Sequence, residues 1–163
     1  MENAPAFKAD PATVIQRHER AAVRITGQFF LRQAAMLAAY TGGDLLLGLV
    51  YVAITTANTE HMSEAALAGY SELDEAPPDE LRRPISVLAL SASLKLPYET
   101  TRRYVTRLEE MGLARRVGRV GVITPKQVHE DPAAVEGVRR SFNDVCRFVG
   151  GLRRVGVDID SMR

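Results

Sequence analysis

Residues 86–113 read SVLALSASLKLPYETTRRYVTRLEEMGL, and residues 114–124 follow as ARRVGRVGVIT. The spacing predicts two short helices joined by a tight turn, then a basic β-hairpin. Leu88, Leu90 and Leu94 are expected to point inward from the first helix, with Leu96 as an apolar plug at the turn. Pro97 presets the backbone where the second helix starts. Thr101, Val105 and Leu108 form the inner stripe of that helix, with Tyr104 and Met111 at its margins. At 100° per residue the opposite side carries Glu99, Arg103 and Thr106, flanked by Arg102 and Arg107. Gly112 is placed to end the helix in a left-handed conformation. In the hairpin Arg115, Arg116 and Arg119 are polar, while Val117, Val120, Val122 and Ile123 can face a core. Gly118 and Gly121 allow a tight connection.

Charge follows the same block. Between Arg82 and Lys126 stand ten basic and three acidic side chains, a local +7, so the remainder of this +1 chain sums to −6. A basic module on an acidic body suits a polyanionic partner. The expected groove-contacting residues are Tyr98 and Thr100 at the amino-terminal end of the second helix, Arg102, Arg103 and Arg107 along it, and Arg119 at the hairpin tip.

Outward from this block, residues 1–11 read as a leader containing Pro5 and Pro11. A helix is expected from Ala12, capped by Asp10 or Thr13, with Val14, Ile15, Ile25, Phe29, Met36 and others at helical spacing. Gly27 either weakens that helix or splits it. Residues 41–44, Thr-Gly-Gly-Asp, end it and cap the next. The helix expected over 44–62 begins apolar on every side, which means burial in protein or in lipid. Residues 34–57 raise the question of a membrane span. Gly42-Gly43-Asp44 argues against it, since a carboxylate there would cost about 2.5–3.5 kcal/mol. A buried, dimer-forming helix is the favoured reading, and no membrane association is expected.

The acidic, proline-containing stretch 72–80 reads either as a connector that lets the basic module sit apart or as an ordinary surface loop. Asp131-Pro132 starts a further helix. Val135, Val138, Phe142, Val145, Val149 and Leu152 make a heptad-like seam there, expected to be one packing face. Gly150-Gly151 is expected to fray its end.

The segment 84–124 resembles the winged helix-turn-helix domain of bacterial transcriptional regulators of the GntR, MarR and related kinds. Leu90, Leu94, Leu96, Thr100, Val105, Leu108, Gly112 and Leu113 stand on the positions of the shared pattern. The match covers a quarter of the chain and departs from the pattern at Ser91, Lys95, Pro97 and Thr101. The fold so implied is mainly α with a small β-hairpin wing. A helical, dimerising arm spans 1–81, the winged helix-turn-helix 82–126, and a carboxyl-terminal helix and tail 127–163. The resemblance implies a homodimer that binds double-stranded DNA sequence-specifically and regulates transcription; the single cysteine fits a reducing compartment, and a cytoplasmic location is expected. The alternative is a winged-helix protein-interaction module without DNA.

Other chemistry is weakly encoded. His18, His61 and His129 are far apart and Cys146 is the single cysteine, so neither a metal site nor an internal disulfide is expected. Cys146 is read as a packed thiol, and Asp158 and Asp160 as tail residues. No phosphate loop or nucleophile motif appears, so neither a cofactor nor an enzymatic activity is expected. The amino terminus lacks the pattern of a secretory signal. Phe29-Phe30 and the apolar helix could line an effector pocket, but a core or dimer interface is favoured. Both the amino-terminal helices and the last helix are candidates for the dimer contact.

Overall fold

The computed structural model describes residues 17–70, 72 and 75–158. The expected leader, the helix start near Ala12 with its caps, and Asp160 lie outside these residues. The described chain is mainly helical with one small antiparallel sheet.

Helix α1 (Arg17–Tyr40) runs unbroken through Gly27. It ends where Thr41 Oγ1 donates to the Leu37 carbonyl at 2.8 Å and Gly42 and Gly43 adopt positive φ. Asp44 then caps α2 (Leu45–Thr59) by accepting from the Leu47 N–H. The chain turns by 96° between the two helices. Gly48 makes that corner tight, since a Cβ there would sit 3.0 Å from the Leu37 Cβ. Among the described residues no single helix is long and apolar enough to cross a membrane.

A short α3 (Glu64–Ala68) and a 3₁₀ turn (Asp79–Leu81) lead to α4 (Val87–Leu94) and α5 (Tyr98–Glu110). The hairpin follows as β1 (Arg115–Val117) and β2 (Gly121–Ile123), with Arg116 opposite Val122. Ile85 adds a bridge to Val122 on β2. Then come α6 (Lys126–Glu130) and α7 (Pro132–Arg154), the latter capped by Asp131 with Pro132 in its first turn.

One apolar cluster holds these elements. Leu47, Val50, Tyr51 and Ile54 of α2 meet Val87 and Leu90 of α4, Val105 and Leu108 of α5, Val122 of β2 and Val128 of α6. Helix α2, which lies within the 1–81 arm, is thus a central packing element for the α4–α5–hairpin module. The connector does not hold the module apart. Ala76 is buried, and Asp79 accepts from Lys126 N at 2.7 Å and from Arg115 Nη2 at 2.6 Å.

Several expectations need correction. Leu88 is 68% exposed, and Val87 takes its place inside. Residues two apart on a helix lie about 200° apart, so Leu88 and Leu90 cannot share one face. The seam on α7 is not what packs on α1. Phe148 stacks on Phe29 at 4.8 Å, Arg32 Nε donates to Asp144 at 2.9 Å and Ser141 donates to Gln33 at 3.0 Å. Val138, Phe142 and Val145 of the expected seam stay exposed on the neighbouring face. Gly150 and Gly151 continue the helix rather than fraying it. Gly151 is buried, and a Cβ there would sit 3.1 Å from Ile25 Cγ2. Cys146 is exposed, not packed.

Candidate nucleic-acid interface

The turn before α5 is built for a sharp reversal. Lys95 ends α4 in the left-handed region at φ 55°, the only non-glycine residue with positive φ among the described residues. Ser91 Oγ donates to the Leu96 carbonyl at 2.7 Å and closes the turn. Thr101, Val105 and Leu108 are fully buried, as their spacing predicts. That anchoring directs the other side of α5 to solvent.

Glu99, Arg102, Arg103, Thr106, Arg107 and Glu110 line one open groove along this side. The structure therefore brings Arg102, Arg103 and Arg107 together. Tyr98 is exposed and Thr100 half-buried in the first turn of the same helix, and neither lines the groove. Arg119 is exposed at the hairpin tip, apart from the groove lining. There Gly118 takes φ 53° and the Val120 N–H donates to the Val117 carbonyl at 3.1 Å. Gly121 is required for a different reason than turn flexibility. A Cβ at Gly121 would lie 2.4 Å from the Ile85 carbonyl oxygen, across the bridge that joins Ile85 to the hairpin.

Much of the cationic excess is internally paired. Arg102 donates to Glu99 at 2.9 Å and Arg107 to Asp44 at 2.8 Å. Arg116 donates to Glu109 at 3.0 Å, and Arg115 to Asp79. Arg103 and Arg119 have no ion-pair partner among the described residues. Surface pairs of this kind contribute about 0–1 kcal/mol, so a phosphate can displace the carboxylate.

Two pairings that shape this site, Asp44 with Arg107 and Asp79 with Arg115 and Arg82, were not legible in the sequence. Asp44 caps α2 with Oδ1 and holds Arg107 with Oδ2, so one carboxylate sets both the helix start and the groove wall. Asp79 steadies the base of the hairpin. Partial burial opposes its ionisation, but the Lys126 N–H and the Arg115 and Arg82 guanidiniums hold its carboxyl below the usual carboxylate range. Asp79 could have been suspected from the acidic run at 72–80, but its partners could not. Among the described residues no His, Cys, Asp or Glu cluster could hold a metal ion.

Compared with known proteins, the chain matches no family model, no curated protein and no solved structure.

Proposed function

We propose that the chain is a winged helix-turn-helix regulator of transcription that binds double-stranded DNA as a homodimer. The observation that carries this reading is the exposed α5 face. Arg103 stands there without a carboxylate partner between two arginines, and Arg119 is exposed at the tip of the hairpin. A helix of this width enters a major groove about 12 Å wide. In that docking the first turn, with Tyr98 and Thr100, approaches base edges. Arg103 reaches a guanine edge or a phosphate, and Arg102 and Arg107 exchange their carboxylates for phosphates. Arg119 reaches a neighbouring phosphate or the minor groove. In this reading the protein works in the cytoplasm and is not an enzyme.

The dimer reading is supported by the outer face of the α1–α7 pair. Val23 and Phe30 on α1 and Val138, Phe142 and Val145 on α7 are exposed apolar side chains. The two antiparallel helices leave this face uncovered, and a second copy would complete a four-helix bundle.

The test is selection of bound duplexes from a random pool at near-physiological salt. Enrichment of a common sequence, weakened by Arg103→Ala, supports the reading; no enrichment and no duplex binding at low salt would end it. A second reading, a protein-interaction module, is favoured by the two glutamates in the groove, which balance part of its charge. It predicts no duplex binding and a protein partner whose capture Arg103→Ala abolishes.

A further inference from the structure

At the root of the α1–α7 pair, where both helices meet α2 and α6, lies a cavity of about 210 Å³. Met36 and Tyr40 of α1, Tyr51 and Thr55 of α2, His129 of α6 and Gly137 of α7 lie on its wall. The Tyr40 and Tyr51 rings pack at 5.4 Å with a 42° tilt. The cavity is larger than the ~150 Å³ apolar cavities that take up benzene.

The polar groups on this wall are neutral. Burial raises the hydroxyl pKa values of Tyr40 and Tyr51, so both phenols stay protonated. His129 Nε2 lies 3.3 Å from Arg82 Nη1. A guanidinium only donates, so Nε2 accepts and the ring is neutral. Burial, then the Arg82 charge, lowers the His129 pKa to about 4. An apolar wall with a few neutral donors and acceptors selects an uncharged ring compound that carries a hydroxyl or N–H.

The wall also touches the hairpin through a chain of contacts. Behind His129, the Arg82 side chain is 1% exposed and its Nε lies 3.6 Å from Asp79 Oδ1. The other Asp79 oxygen accepts from Arg115 Nη2 on β1 at 2.6 Å. A ligand that shifts the His129 ring perturbs a buried guanidinium with few alternative partners.

We infer that this cavity binds a neutral one- or two-ring compound, and that His129, Arg82 and Asp79 relay its occupancy to the hairpin. The regulatory consequence rests on the DNA-binding reading; the binding and the relay do not.

The probes are 2-naphthol, followed by its own fluorescence since the chain has no tryptophan, and indole, followed by calorimetry. The full chain binds at least one of them saturably. Gly137→Leu fills the cavity, because no heavy atom lies within 4 Å of a Cβ at Gly137; it weakens binding at least about tenfold, which is 1.4 kcal/mol, and keeps its helical circular dichroism. Binding slows amide hydrogen exchange at 115–123, and Arg115→Ala binds the probe normally but loses that slowing. No saturable binding of either probe, or equal binding by Gly137→Leu, overturns the site. Unchanged exchange in the wild-type chain overturns the relay. None of these measurements uses DNA, so a failure of the DNA-binding reading shows separately.

Discussion

The Asn58 Nδ2 on α2 donates to the Val122 carbonyl on β2 at 3.2 Å. The same amide donates to the Arg83 carbonyl at 2.9 Å, and its Oδ1 accepts from the Thr124 N–H at 2.9 Å. One fully buried side chain therefore satisfies three backbone groups of the segments around the hairpin. Buried backbone groups without partners cost about 1–3 kcal/mol each. The Val122 carbonyl keeps the Ile85 N–H, so Asn58→Ala strands two backbone groups and is expected to lower stability by about 2–4 kcal/mol, with Asn58→Asp doing no better, since a carboxylate cannot donate. Urea denaturation of the two variants checks this; a loss below 1 kcal/mol would refute the role given to Asn58.

Arg103 and Arg119 are exposed and unpaired among the described residues, so their removal leaves the fold intact. Arg103→Ala is expected to weaken binding to a selected duplex by about 1–3 kcal/mol if it reads a base. Arg119→Ala is expected to weaken it less and to lower the salt dependence by about one phosphate contact. Titrations at several salt concentrations separate the two.

Two glycines should respond in opposite directions. Gly121→Ala drives a Cβ to 2.4 Å from the Ile85 carbonyl oxygen, and should cost about 2 kcal/mol or more. Gly137→Ala meets nothing within 4 Å in the interior of α7, and should add about 0.5–1 kcal/mol. Thermal unfolding of both variants decides the matter; a harmless Gly121→Ala contradicts the close approach.

His129 makes stability depend on pH. Its pKa falls from 6.5 to about 4 in the folded chain, through burial first and Arg82 second, with Asp79 and Glu130 opposing. Between those values the unfolded chain binds a proton that the folded chain does not. The contribution is therefore fully present above pH 6.5 and is lost as pH falls towards 4. At about 1.4 kcal/mol per pKa unit, a fall from 6.5 to about 4 makes it on the order of 3 kcal/mol. His129→Gln should flatten the denaturation profile across that window; an unchanged slope would assign the acid sensitivity to other groups.

Phe142 is 64% exposed on the outer face of α7. Phe142→Glu should turn a dimer into a monomer without loss of helix, as read by sedimentation equilibrium and circular dichroism. If the wild-type chain sediments as a monomer at all concentrations, the bundle pairing is wrong.

The α5 stripe Thr101, Val105 and Leu108 was legible because a single helix with one buried side writes its orientation into local spacing. The caps at Asp44 and Asp131, and the left-handed Gly112, were legible for the same reason. On α7 periodicity picked the wrong face. Two stripes stood about 100° apart, and α1 packs on the one carrying Ser141 and Gly151. Small residues there let the helices approach, whereas Phe142 stands in the open.

Much local order was in the sequence alone: the existence of α1, α2, α4, α5 and α7, the caps at Asp44 and Asp131, and that α5 turns arginines outward, but not the short α3 and α6 or the run of α7 through Gly150 and Gly151. Each depends on neighbours within about four residues, the range of a helical hydrogen bond. Only the tertiary structure decided that α2 belongs to the core of the α4–α5–hairpin module, that Asp44 holds Arg107, and that Asp79 ties Arg82 to Arg115. Those pairings join residues far apart along the chain, and no periodicity encodes which distant side chains a fold brings within hydrogen-bonding reach.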